Sequence, residues 1–453
     1  MLLPSLRLIS EKTEIDRAVL YGAFAKAWQI PSGVVTLLLI AFFFDPESQG
    51  VYYTIFGILG LQNMAEAGLT SVLMHSVSHE WSKVEITDEG ELVGDANAIG
   101  RIAALTRGSL KCLTGSGIAF AIIALTWGTW LFWNSPVIVG VLVLSVLVSG
   151  LSLASAGLIA VLEGCNQVRS VNRNRFGQVI CGSLVVWAVI AAGGTIWAIP
   201  ASLATQLLWE LSLLGIRYRR VMQRVFAATA SDLDWKNEIW PLQWKLGLQG
   251  FVHQMAFTPM IPVLAAWQGL AVAGMAGMTL NTLIQLLGIA SMWIRTRAPR
   301  FGELIANGER QNLDRLFLRT VYLSTTALCA ILAMFCGVLF LLGGMNNEIA
   351  QKLASRFLPV SLAIGIATAM VALHLLQCFA IYLRAHKVDP IWRITIFSNL
   401  LLIVAIVVGE ARFGAIAMGV SMTAIYGGIT LPLVFLAWRR YRRESIQAEI
   451  GSP

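Results

Sequence analysis

The chain has 453 residues, of which 57% are hydrophobic and 13% charged, with a net charge of +8. Soluble domains carry about 25% charged residues, so the composition excludes an ordinary globular protein. The six cysteines, at 112, 165, 181, 329, 336 and 378, form no CxxC pair and read as small core residues, which excludes a disulfide framework or a structural zinc site.

Apolar runs of 20 or more residues recur from Ala18 to Trp438, and the mean hydropathy is +0.71. Each run is long enough to cross a bilayer core of roughly 30 Å. An open sheet would leave unpaired backbone groups in lipid, so the chain is expected to be an all-α polytopic membrane protein. The first 17 residues mix charges through a short apolar stretch and lack a small-residue cleavage site, so the first span is expected to be retained. The basic balance is explained by lysine and arginine kept on the cytoplasmic side and gives no reason to expect nucleic acid as a partner.

In chain order, apolar runs and breakers predict twelve helices. They lie at 18–44, 50–76, 109–133, 136–163, 173–193, 196–216, 240–267, 269–294, 316–343, 356–383, 390–409 and 413–438. With the N-terminus inside, the cytoplasmic segments hold 28 of the 33 lysines and arginines. External segments hold only Lys352, Arg356 and Arg412, and Lys26 and Lys245 fall within spans. A miscounted helix would invert every later loop, so the alternation predicts both termini in the cytoplasm. Trp127, Trp130 and Trp133, and likewise Trp235, Trp240 and Trp244, are placed for interfacial belts.

The basic segment 217–239 divides the spans six and six. It predicts two lobes, 1–216 and 240–453, the second ending in a basic tail. Gly57 and Gly60 in span two, and Gly274 and Gly277 in span eight, occupy matching positions; close helix contacts explain the match as well as an internal repeat does. The 77–108 loop is acidic at first and then carries Ile99, Ile102, Ala103, Thr106 and Leu110 at helical spacing, which predicts a surface helix. Arg439, Arg440, Arg442 and Arg443 in the tail are expected to attract anionic head groups.

No phosphate-binding glycine loop, zinc-protease helix or nucleophile elbow is present, and nothing requires a cofactor. Asp232-Leu-Asp234 has the spacing of a metal and sugar-nucleotide pair, although a capping turn before span seven accounts for it more simply. The informative residues are the ionisable ones inside spans, Lys26, Glu66, Glu210, Lys245, His253 and His374. Such groups are rare in lipid and normally mark a polar pathway. At about 1.5 Å per residue, Lys26 lies roughly 12 Å and Glu66 roughly 15 Å from the cytoplasmic face on consecutive antiparallel helices. Two readings stay open for this couple. It is an ion pair joining the two spans, or it lines a cavity in which Lys26 and Lys245 offer positive charge and Glu66 serves as counter-ion or proton carrier. His253 lies near Pro259 and Pro262, which are expected to break span seven. Glu163 and Glu410, near helix ends, are expected at the interface.

Four stretches, at 66–81 ("EAGLTSVLMHSVSHEW"), 238–251 ("EIWPLQWKLGLQGF"), 271–306 and 313–324, resemble bacterial polysaccharide export proteins. These are members of the multidrug/oligosaccharidyl-lipid/polysaccharide (MOP) superfamily, which includes the O-antigen flippases. The resemblance covers span two with its following loop and spans seven to nine; "TRAPRFGELI" after span eight is its most specific part. It implies two six-helix lobes in a MATE-like V, alternately open to each side, that carry a polyprenyl-diphosphate-linked oligosaccharide outward across the bacterial inner membrane. It also implies cavity cations on the diphosphate, here Lys26 and Lys245 by position, and coupling to protons or sodium, here through Glu66. Membrane lipids and glycan-assembly proteins are the implied partners. The chain lacks the cavity arginine cluster of the lipid II flippase branch, which argues against that substrate. A cation-coupled multidrug antiporter of the same superfamily is the alternative. A membrane-embedded polymerase or ligase would need a large external loop, and the longest external connection here is 344–355.

Overall fold

The computed structural model describes residues 17–87, 91–231, 233–386 and 390–450. Helix α1 (Arg17–Phe43) is followed by a capped start: Asp45 accepts from the amides of Glu47 and Ser48 and from the Ser48 hydroxyl. Burial alone would raise the Asp45 carboxyl, but these donors outweigh it and hold it below its ordinary value. The stretch expected as one helix over 50–76 is instead three, α2 (Pro46–Leu59), α3 (Gln62–Glu66) and α4 (Leu69–Trp81). The second interruption follows from backbone geometry. Ala67 and Gly68 both adopt left-handed conformations, with φ of 49° and 68°, and a right-handed helix cannot pass through them.

A short antiparallel hairpin, β1 (Val84–Ile86) and β2 (Leu92–Gly94), pairs Val84 with Gly94 and Ile86 with Leu92. It leads into α5 (Ala96–Phe132), capped by Asp95. Then come α6 (Pro136–Gly164), α7 (Val168–Ala191), and α8 (Ala198–Ser212), which a wider turn at Leu213–Arg217 extends. The basic segment after it carries α9 (Arg219–Ala227). Span seven is broken as its prolines predict, into α10 (Trp240–Phe257) and α11 (Met260–Gln268). The remaining helices are α12 (Leu270–Ala306), α13 (Arg310–Gly344), α14 (Glu348–Ala354), α15 (Val360–Ala385), α16 (Trp392–Phe413), α17 (Ala415–Met422) and α18 (Leu431–Ile450).

Among the described residues, ten helices are long and apolar enough to cross a bilayer, so the protein is a multi-pass membrane protein. Several outrun their predicted spans. At 37 residues, α5 and α12 reach roughly 55 Å, well beyond a bilayer core. Hydropathy finds only the stretch that needs lipid, whereas the helix continues into water. The surface helix expected near 99–110 is the first part of α5, and its Ile99, Ile102, Ala103 and Thr106 are buried.

The chain divides into two compact units that change over between α1 and α2 and again inside each of the two interrupted spans. One takes in the residues up to Phe44 with Ile58–Gln254; the other takes in Asp45–Gly57 with Met255 onward. In the first, α1 packs along α7, fastened by Trp28 Nε1 to Ser183 Oγ and Trp187 Nε1 to Thr36 Oγ1, each 2.9 Å. Its core joins Leu69, Leu73 and Val77 of α4 to Ile102, Leu105 and Leu113 of α5. Trp235, expected in a membrane belt, instead lies against Gly108, whereas Trp130, Trp133, Trp240 and Trp244 are exposed as belts require. In the second unit, Gly50 and Gly274 let α2 and α12 touch backbone to backbone: a Cβ on Gly274 would stand 2.7 Å from the Gly50 nitrogen. Phe301, Phe317, Phe379, Tyr382 and Trp438 form its aromatic core. Arg442 of the tail is drawn into this unit as well, its Nε lying 2.9 Å from Asp314, which also accepts from Tyr382 at 3.1 Å. One cation of the tail is thus committed to an ion pair inside this unit.

Candidate functional site

The first unit holds three of the expected residues with described side chains. Lys26 is exposed, and its ammonium donates to Gln29 Oε1 at 3.2 Å. Glu66 is half-buried and accepts from the Thr70 hydroxyl. The ion pair considered for Lys26 and Glu66 is not formed: α3 ends at Glu66, and the left-handed turn that follows sets its carboxylate against the first turn of α4. Glu210, on α8, accepts from Ser155 of α6 and from Gln206, its own neighbour one turn back, at 3.2 Å.

The serine row of α6 is the polar feature that the charged residues did not disclose. Ser145, Ser149, Ser152 and Ser155 are all buried. Ser149 donates to Gln62 of α3 and Ser155 to Glu210, while no hydrogen-bond partner of Ser152 Oγ lies among the described residues. The row joins α3 and α8 through α6, about 9 Å apart along its axis. Its signal was present as serines spaced three and four apart in "SVLVSGLSLAS". Lys245 sits on α10, and its side chain lies outside the described residues. His253, on the same helix, is exposed. Asp232 is also outside the described residues. Asp234 serves as a cap, accepting from the Asn237 amide at 3.2 Å.

In the second unit His374 is fully buried between α12 and α13. Its Nε2 lies 2.9 Å from Ser324 Oγ and 3.6 Å from Cys378 Sγ, and its Nδ1 lies 3.5 Å from Ser291 Oγ. Ser291 donates to Gln377 Oε1 at 2.9 Å, which leaves its oxygen to face Nδ1–H and Nε2 to accept from Ser324. This imidazole is satisfied on both sides and packed, with no open face.

Glu410 corrects its expected interfacial placement. It is completely buried on α16, and neither carboxylate oxygen has a hydrogen-bond partner among the described residues. It belongs to the buried face that runs through Ser398, Leu402 and Ile406. Next to it in sequence, Gly409 abuts Ala417 and Gly414 abuts Gln268, so α17 and the end of α11 close around this end of α16. An ionised carboxylate without donors in such surroundings costs several kcal/mol, so this group must take up a proton or a cation. No group of three His, Cys, Asp or Glu side chains is arranged among the described residues to hold a metal. A cation at Glu410 would therefore take its other ligands from hydroxyl, amide and backbone oxygens.

This arrangement of helices is shared with solved transporters. The chain superposes on an inward-facing multidrug resistance MATE family transporter of the MOP superfamily with a TM-score of 0.65 at 14% identity, over 94% of this chain and 96% of the other. It superposes equally on the lipid II flippase MurJ in an inward closed conformation, with a TM-score of 0.65 at 11% identity, over 92% and 87%. A MOP superfamily transporter from Pyrococcus furiosus, described as having a binding pocket of reverse polarity, gives 0.55 at 13% identity, over 94% of both chains. No protein-family profile and no curated protein matches the chain. The fold is that of the MOP superfamily transporters.

Proposed function

We propose that the protein is a flippase of the bacterial inner membrane that carries a polyprenyl-diphosphate-linked oligosaccharide outward by alternating access of two six-span lobes, 1–216 and 240–453. Solved structures with this fold include both a drug transporter and a lipid II flippase, so the side chains must decide between substrates. The observation that carries the reading is the exposed charge at membrane depth. Lys26 is exposed there, whereas Glu66 and Glu210 are half-buried and occupied by hydroxyl and amide donors. A lysine facing lipid is costly, so in this reading its exposed side opens on a water-filled path, where its sign suits a diphosphate better than an organic cation. The neutral amides support a glycan: Gln29, Asn63 and Gln206 are exposed in the first unit, and Asn281 and Gln285 in the second. These are donors and acceptors for sugar hydroxyls. Lys245 joins Lys26 as a diphosphate ligand in this reading, by its position on span seven.

The transport cycle is coupled to a cation through Glu410, the buried carboxylate whose oxygens have no hydrogen-bond partner among the described residues. Glu66 keeps a secondary part, tuning the polar face beside Lys26. Glu66→Gln should therefore leave folding intact and reduce export only severalfold while the ion dependence persists; vesicles that lose all ion dependence would move the coupling site to Glu66. Deletion of the gene should cause a lipid-linked glycan to accumulate on the cytoplasmic face. Organic-cation efflux with no such accumulation would favour the antiporter instead. For topology, a single cysteine placed at Gln223 in a cysteine-free background should resist a membrane-impermeant reagent in intact cells and react in inverted vesicles.

A further inference from the structure

Helix α9 joins the end of span six to the start of span seven, and its two faces differ sharply. Val221, Met222 and Val225 are buried in the core of the first unit, where the helix lies on α5 and β2. The opposite side exposes Arg219, Gln223 and Arg224, with Arg217 exposed just ahead of the helix. The helix is held rigidly: the Arg107 guanidinium donates to the carbonyls of Phe226 at 2.7 Å and Ala228 at 2.5 Å, closing its C-terminus.

No ion pair among the described residues involves Arg217, Arg219 or Arg224. Among the described residues, the acidic groups near this segment are engaged or turned elsewhere. Glu238 and Glu80 bind Arg101, Asp234 caps Asn237, Glu163 binds Arg175, and Glu85 and Glu91 of the hairpin pair with none of the three arginines. Apolar side chains flank the arginines on the open side. Ile216 is 82% exposed and Phe226 41%. Three arginines without an ion pair among the described residues, Arg217 also lying over the Tyr218 ring at 5.8 Å, stand beside exposed apolar groups at the end of a span and match the boundary between head groups and acyl chains.

We propose that this face of α9 is a docking surface for anionic phospholipid head groups, with Ile216 and Phe226 seated at the top of the acyl chains. The guanidinium groups would hold phosphate oxygens, and the fixed helix spares the backbone part of the ordering cost on binding. This inference concerns a surface outside the transport path and stands independently of the substrate.

The test uses the full-length protein in nanodiscs of phosphatidylcholine mixed with phosphatidylglycerol, with retained lipids counted by native mass spectrometry. At about fivefold per arginine near the surface, the triple variant Arg217→Gln, Arg219→Gln, Arg224→Gln should lose on the order of a hundredfold of its preference for phosphatidylglycerol. The triple lysine variant should keep most of that preference. Gln223→Glu, at an exposed position without buried contacts, should lower the preference severalfold with unchanged thermal unfolding, which keeps the test decisive if the triple glutamine variant unfolds. Ile216→Ser with Phe226→Ser should weaken retention of the lipid but not of soluble glycerol phosphate. An unchanged lipid preference in the arginine variants, equal loss of glycerol phosphate and lipid in the serine variant, or loss of an acidic co-purifying protein with lipid retention intact would each overturn the proposal.

Discussion

Glu410→Gln is expected to abolish the response of transport to an imposed proton or sodium gradient while the protein still folds and inserts. The wild-type carboxyl is buried on every side and has no donor among the described residues. Ionised and empty, it would cost several kcal/mol, so each passage through this state requires a proton or a cation to enter with it. The amide has nearly the same shape but carries no charge and gives up no proton, so that requirement disappears. A binding readout separates coupling from mere structure. If sodium fills the site, sodium at 100 times its Kd should add about 2.7 kcal/mol to wild-type stability, and this increment should vanish in the variant. If a proton fills it, sodium should not matter, and proton uptake accompanying transport should be lost. The new amide leaves buried donors unpaired at about 1–3 kcal/mol, so Glu410→Leu provides the second variant, with the same loss of coupling and no orphaned donor. Retention of ion-driven transport in both variants would reduce Glu410 to a packing residue.

That carboxylate also shows where sequence reading fell short. The helical spans were legible because lipid demands long apolar runs and a helix satisfies its own backbone. The break in span seven was legible because Pro259 and Pro262 announce it. The break after Glu66 was not, since Ala67 is an ordinary helix former that tertiary packing holds at φ 49°. That single turn is also why Lys26 and Glu66, matched in depth, do not meet: Glu66 turns to Thr70 and Lys26 to Gln29. Glu410 was misplaced for a related reason. Counting residues from a helix end measures depth along the bilayer normal, whereas burial by α17 and the end of α11 is lateral and depends on long-range packing. Charge draws attention in a membrane sequence, and the serine row of α6 has none. Its spacing was in the sequence, but its role in joining α3 and α8 shows only in its bonds to Gln62 and Glu210.

Lys26→Glu should have the other large effect, a loss of glycan export with normal expression and insertion. The ammonium is exposed and its bond to Gln29 is within one helical turn, so little of the fold rests on it. Removing a charged hydrogen bond to a phosphate costs about 1.5–3 kcal/mol. Reversing the charge adds a repulsion of roughly 3 kcal/mol at 5 Å and an effective dielectric constant near 20. Together these predict a fall in flux of more than about a hundredfold, since 1.36 kcal/mol is a factor of ten. Lys26→Arg, which keeps the charge and can form two parallel bonds to phosphate, should retain most activity, and Lys26→Gln should fall between. The comparison also separates the two substrate classes. A path that carries organic cations should work better with glutamate at this position, because the lysine repels its cargo. Export measured as lipid-linked glycan reaching the outer leaflet, beside efflux of a cationic dye, gives opposite signs for the two cases. A gain in dye efflux with no change in glycan would place the protein among the antiporters.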